Sequence, residues 1–381
     1  MKSPVSYLTR TGAALSLTVA AHLLHAEDLI SDNASRTGGI ANSCANSSQL
    51  LQVQKLSKST EIVGIGPTGE RWRRTLPASS EKSLPFHASS KGNAVVLATN
   101  LAGGEAFLVT DERTISIDNG YIQSADFANG HTLVVTTVVE ENKPRSDTRV
   151  RVFRNKTGAI VGDYVITDAE RISEKPLERE WSFRLSSDAK YIYYFKSAYD
   201  AAFKELAIVD VNSGRTKGLA LRLTDNSAWT HQVYDAVLLS GDSAIITSGL
   251  GGGLYYLNSE GAREIETPSS IGTIERLQYV PERQEVATIG QSGWAIRSLR
   301  DSSWKLGESG TGLVRLQPDS SGWTASDRKS SSPVRFYTLQ GGQYTLTRSL
   351  KNIPRSAKIS CVNSFGAMVL DGGEFVWRRA D

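Results

Sequence analysis

Cysteine, histidine and methionine are nearly missing from this sequence, and their scarcity removes several kinds of protein at once. Two cysteines, Cys44 and Cys361, cannot build a densely cross-linked scaffold or a cysteine-rich zinc module. After the N-terminal segment only His87, His131 and His231 remain, far apart and without ligand spacing. A built-in metal is therefore not expected. No acidic loop has EF-hand spacing. The nearest approach to a nucleophile elbow, Gly307-Glu308-Ser309-Gly310-Thr311, fails the G-x-S-x-G pattern at Thr311. Neither charge sign prevails: 43 Lys and Arg against 40 Asp and Glu leave +3, with the signs interspersed. A nucleic-acid partner would need a concentrated basic face, so none is expected. Beyond the N-terminal segment no apolar run is long enough to span a bilayer, and no convincing amphipathic helical period appears.

What is present begins with an export signal. Lys2 and Arg10 form a basic start, residues 11–24 are mostly apolar and small, and cleavage fits after Ala26 or, less deeply, after Ala21. No cysteine follows at once, which argues against a lipid anchor. The mature protein is expected to be periplasmic or secreted, with residues 27–42 as a polar lead-in.

Residues 43–381 then repeat one grammar at intervals of about forty residues. The clearest unit is 181–221: WSFRL, a Ser-Ser-Asp-Ala turn, YIYYFK, a polar loop, LAIVDV, the turn Asn212-Ser213-Gly214, and KGLAL. Four short strands joined by three turns make one antiparallel sheet. Similar units occupy 43–77, 86–118, 125–167, 233–268, 274–307 and 312–349, and 357–381 stops without a fourth strand. Equal repeats of this length favour an all-β fold, a β-propeller, over a sandwich or a shorter-period β-helix. Eight blades are expected, or seven if the N-terminal unit and the C-terminal run share one.

Gly64-Ile65-Gly66-Pro67-Thr68-Gly69 matches G-x-G-x-x-G, but RWRRTL follows as a strand where a dinucleotide site needs a helix. The overlapping piece Pro67-Thr68-Gly69-Glu70-Arg71-Trp72 resembles the turn and tryptophan of quinoprotein-type repeats, the PQQ-like and YVTN-like units of bacterial exported β-propellers. The resemblance covers one unit of about eight and points to no specific family. It implies the fold, and no cofactor is expected.

The ends carry matching patterns, Ser43-Cys44-Ala45-Asn46-Ser47 and Ser360-Cys361-Val362-Asn363-Ser364. If each ends the inner strand of its blade, they meet where the ring closes, and the lead-in can complete the last blade. A disulfide bond between Cys44 and Cys361 would then remove roughly 4–5 kcal/mol of unfolded-chain freedom, provided the Cα atoms come within the ~7 Å limit.

Function is read from loops. The long insertions 140–148, 168–180, 197–204 and 224–232 would share one face, as second-to-third-strand loops and blade-to-blade connections do. They bring Arg145, Arg171, Arg179, Tyr199, Lys204, Trp229 and His231 together, and Arg328 would lie on the same face across the ring. Aromatics mixed with arginines are the residue types that anchor interfaces. The expected function is a binding or scaffold module for a protein or a cell-envelope polymer. The alternative is an enzyme at the channel mouth, a lyase, lactonase, hydrolase or quinoprotein-like dehydrogenase subunit, which needs charged side chains converging at the hub.

Overall fold

The computed structural model describes residues 40–41, 50–66, 69–79, 86–88, 93–100, 105–117, 121–138, 147–166, 183–197, 203–225, 227, 229, 233–248, 253–309, 314–318, 322–327, 334–341, 343–350, 353, 358–363, 366–371 and 374–379. Residues 1–39, including the whole expected export signal, and Cys44 lie outside them.

The described strands form antiparallel sheets in which sequence neighbours are always sheet neighbours. Seven have four strands: sheet 1 (40–77), sheet 2 (86–117), sheet 3 (121–166), sheet 4 (184–220), sheet 5 (233–265), sheet 6 (274–309) and sheet 7 (314–350). Sheet 8 (358–379) has three, as expected from its early stop. One boundary moves. Ile40 and Ala41, read above as lead-in, pair with Gln52 and Leu51 and form the first strand of sheet 1. Among the described residues the only helical turn is a short 3-10 segment, Ser269–Ile271.

Local chemistry explains the repeat. The turns Asn155–Gly158 and Asn212–Gly214 close hairpins in sheets 3 and 4 in the same way: Gly158 N–H donates to Arg154 O at 2.8 Å, and Gly214 N–H to Asp210 O at 2.9 Å. Both glycines have positive φ, 75° and 70°, which a residue with a Cβ adopts only at a cost. The G-x-G-x-x-G stretch is likewise a hairpin, with Gly66 paired to Gly69 and strand on either side.

Second strands are buried on both faces. Ser243–Ser248 and Glu285–Gly290 are buried throughout, whereas the fourth strand Thr216–Ala220 buries only Leu219. This gradient arises because sheets 2 to 6 each pack a neighbour on either side. Apolar clusters fill the gaps between sheets 1 and 2, 2 and 3, 3 and 4, 4 and 5, 5 and 6, and 6 and 7. First strands of consecutive sheets touch (1 with 2, 2 with 3, 3 with 4, 5 with 6), so the sheets fan out from a line of first strands. Between sheets 6 and 7, fully buried Trp294 and Trp323 share one cluster, and Gly307 leaves the space that the Trp294 indole occupies.

Candidate functional site

In a meander of four strands, the loop from second to third strand and the connection to the next sheet leave from the same end. The described strands therefore bracket the long connections at one end of sheets 3, 4 and 5: 139–146 and 198–202 within sheets, 167–183 and 221–232 between them. Arg145, Arg171, Arg179, Tyr199 and His231 fall in these connections and Arg328 in the corresponding one of sheet 7, all outside the described residues.

Two assignments change. Lys204 stands on the third strand of sheet 4, Phe203–Asp210, rather than in the loop before it. Trp229 is no surface anchor: it is 5% exposed, sits in the cluster between sheets 4 and 5, and meets Tyr255 edge-on at 4.9 Å. Thr224, Asp225 and Ser227 before it are exposed while the indole packs down, because the gap between two sheets offers apolar contact that the exposed residues lack.

Sequence reasoning missed a charged group along the first strands. Asp126 of sheet 3 accepts Phe127 N–H at 2.9 Å and, across the gap, Leu185 N–H of sheet 4 at 2.8 Å. Asp235 of sheet 5 does the same, taking Ala236 N–H at 2.9 Å and Leu277 N–H of sheet 6 at 2.7 Å. Arg184, on sheet 4, reaches Asp235 at 3.5 Å. Tyr193 donates its hydroxyl to Ala236 O at 3.3 Å. Among the described residues no ladder joins these sheets, so the two carboxylates are polar clamps between neighbours. The Asp235 side chain is 9% exposed and that of Arg184 42%, which leaves the guanidinium reaching solvent from the fan line.

Electrostatics follow from this packing. The Asp235 carboxylate raises the Arg184 pKa, and burial raises that of the Tyr193 hydroxyl. Burial also pushes the Asp126 carboxyl above its ordinary range, against Arg184 and the two N–H donors that pull it down. A raised carboxyl binds its proton more tightly in the folded state. Its contribution to stability is therefore complete below the unfolded pKa and lost as pH rises through the folded one. Asp235→Ala leaves Leu277 N–H without its acceptor, an expected loss of about 1–3 kcal/mol. The urea midpoint measures it, and an unchanged midpoint would mean that the clamp carries nothing.

A second buried group ties sheet 6 to sheet 7. The Glu285 carboxylate (4% exposed) accepts from Lys305 Nζ at 3.1 Å and from the Tyr344 hydroxyl at 2.8 Å, and forms an ion pair with Arg283, whose Nε lies at 3.2 Å. Arg283 also donates to Gly322 O at 2.8 Å and lies 4.8 Å over the Trp323 ring. Burial, then the bond to Glu285, raises the Tyr344 pKa and keeps the phenol protonated.

No protein-family model matches the sequence, and no curated protein matches it either. Comparison of folds does find similar structures. A prolyl endopeptidase aligns at TM-score 0.50 and 11% identity over 85% of this chain, which spans 52% of that protein's chain. A chain of the complex of KlAtg21 with the coiled coil of AgAtg16 aligns at TM-score 0.51 and 9% identity, covering 82% of this chain and 99% of that one. The β-propeller domain of Cps50 (Swd1) from Myceliophteria thermophila aligns at 0.43 and 12% identity, over 77% and 94% of the two chains. At these identities the likeness concerns the fold alone. Among its described residues the chain is all-β, seven consecutive four-stranded meanders followed by one of three strands.

Proposed function

We propose that this chain is an exported β-propeller of eight blades acting as a binding or scaffold module, with a protein or cell-envelope polymer held at the loop-rich end of blades 3 to 5. The observation that carries the reading is the bracketing just described: the long connections leave sheets 3, 4 and 5 from one end. They hold Arg145, Arg171, Arg179 and Tyr199, and in this reading the sheets beneath position them for contact. In this reading the lead-in before Ile40 supplies the missing fourth strand of blade 8, and Cys44 bridges to Cys361 across the closure in an oxidising compartment. Both carboxylates of the fan line are engaged with backbone N–H groups, which suits a scaffold.

The test compares the mature protein with a variant carrying Arg145→Ala, Arg171→Ala, Arg179→Ala and Tyr199→Ala as baits in an envelope extract. A partner recovered by the first and lost from the second supports the loop end. Equal recovery by both removes it.

A second reading, an enzyme at the channel mouth, draws on one observation: Asp126, Arg184 and Asp235 converge with Tyr193. It requires that Arg184→Ala abolish a turnover that the loop variant retains.

A further inference from the structure

The perimeter of sheet 5 begins a fifth strand and then abandons it. After sheet 4, Leu223 forms a parallel bridge to Ala262 on the fourth strand of sheet 5, Gly261–Ile265. Ala262 N–H donates to Arg222 O at 2.7 Å and Thr224 N–H donates to Ala262 O at 3.2 Å. The chain then leaves through a turn in which the Asp225 carboxylate accepts Ser227 N–H at 2.9 Å and the Ser227 hydroxyl at 2.6 Å. Outward-facing residues on an antiparallel edge strand alternate, so the next outward pair of groups belongs to Glu264, directly opposite Tyr255. Among the described residues nothing pairs with that N–H or C=O.

That vacant edge borders a cleft of about 490 Å³ between sheets 5 and 6, lined by Arg263, Glu264, Glu266, Pro268, Arg297 and Trp304 among others. Its far wall is fixed. Trp304 donates its indole N–H to Glu266 O at 3.0 Å, and the Arg297 guanidinium lies 5.3 Å over the indole. Partial burial lowers the Arg297 pKa, against the nearby Asp301 carboxylate. Among the described residues neither Arg297 nor Arg263 has an ion-pair partner within 4 Å. A guanidinium stacked on a fixed ring, with its N–H edge unclaimed, is set to receive a planar carboxylate.

We propose that this edge takes an extended peptide strand from a partner protein. The strand continues the line begun by Arg222–Thr224, pairs with Glu264, and seats one acidic side chain between Arg263 and Arg297. Glu264 and Glu266 line the same cleft, so the strand is of mixed charge, with a basic residue near the acidic one. A run of carboxylates would meet repulsion there. The surface contains none of Arg145, Arg171, Arg179 and Tyr199, and substitutions at those four positions leave its lining intact.

A phage-displayed library of random octapeptides, selected on the full chain, tests the proposal. Enrichment of sequences with an acidic and a basic residue within a few positions is expected. The enriched peptide should bind about tenfold more weakly to Arg297→Ala, the loss of one charge-assisted contact, and more weakly to exposed Arg263→Ala, which does not endanger folding. Glu264→Pro removes the outward N–H at an edge position where proline is tolerated, and should weaken binding as well. The quadruple loop variant should bind the peptide as wild type does. No enrichment, or enrichment indifferent to Arg263, Glu264 and Arg297, overturns the proposal. So does a dimer in sedimentation that Arg297→Ala dissociates, because the occupant would then be a second copy of this chain.

Discussion

Glu285→Ala is expected to destabilise the protein by about 3–5 kcal/mol, the cost of breaking a buried ion pair from one side. Three groups converge on that carboxylate, Lys305, Arg283 and the Tyr344 hydroxyl, and two of them are cations at 15% and 21% exposure. Removing the carboxylate leaves those charges with little water and without the ion pairs they made to it. Its methylene packing is a minor part of the loss. Glu285→Gln keeps an acceptor for Tyr344 without the charge, so it should fall between alanine and wild type. Replacing Glu285, Arg283 and Lys305 together by methionine should recover most of the loss, since a buried ion group removed whole leaves none of its charges unpaired. Urea unfolding of the four proteins measures this. A loss below about 1 kcal/mol for Glu285→Ala would place the network in the class of exposed pairs.

Trp229→Ala is expected to cost about 3–5 kcal/mol, as a large aromatic removed from a packed interior does. The indole fills the gap between sheets 4 and 5, where Leu221, Val233 and Tyr255 share its cluster. Its edge-on contact with Tyr255 is lost as well. The thermal midpoint should drop sharply, while Trp229→Phe should recover part of it. Partner recovery at a temperature where the variant is folded should match wild type. Lost recovery with an unchanged midpoint would return Trp229 to the surface.

Strands and turns were legible because their causes are local. Alternation sets a strand, and a glycine with positive φ such as Gly158 or Gly214 closes a hairpin within five residues. The repeat length then led to consecutive four-stranded sheets. Clamps were not legible, because Asp126 finds its cross-sheet partner 59 residues away and Asp235 finds its own 42 away. One faint trace exists: Arg-Leu recurs on first strands at Arg184-Leu185, Arg276-Leu277 and Arg315-Leu316.

Trp229 was misread for a different reason. Its neighbours from Thr224 to Gln232 are polar apart from Ala228, and a stretch that reads as solvent-facing can still send one aromatic inward. Lys204 was assigned to a loop because a strand boundary shifts by a residue or two without changing the pattern. The two-residue strand Ile40–Ala41 is too short to carry any periodicity.

Everything functional rests on the sheets closing into a ring, since only then do the loops of sheets 3 to 5 and that of sheet 7 face one opening. The direct measurement is the distance between spin labels on Cys44 and Cys361, attached after reduction. A ring brings sheets 1 and 8 together, so the separation should be one or two sheet spacings, on the order of 10–20 Å. A separation beyond about four spacings, on the order of 40 Å, would mean an open stack, and the shared loop end would be lost with it.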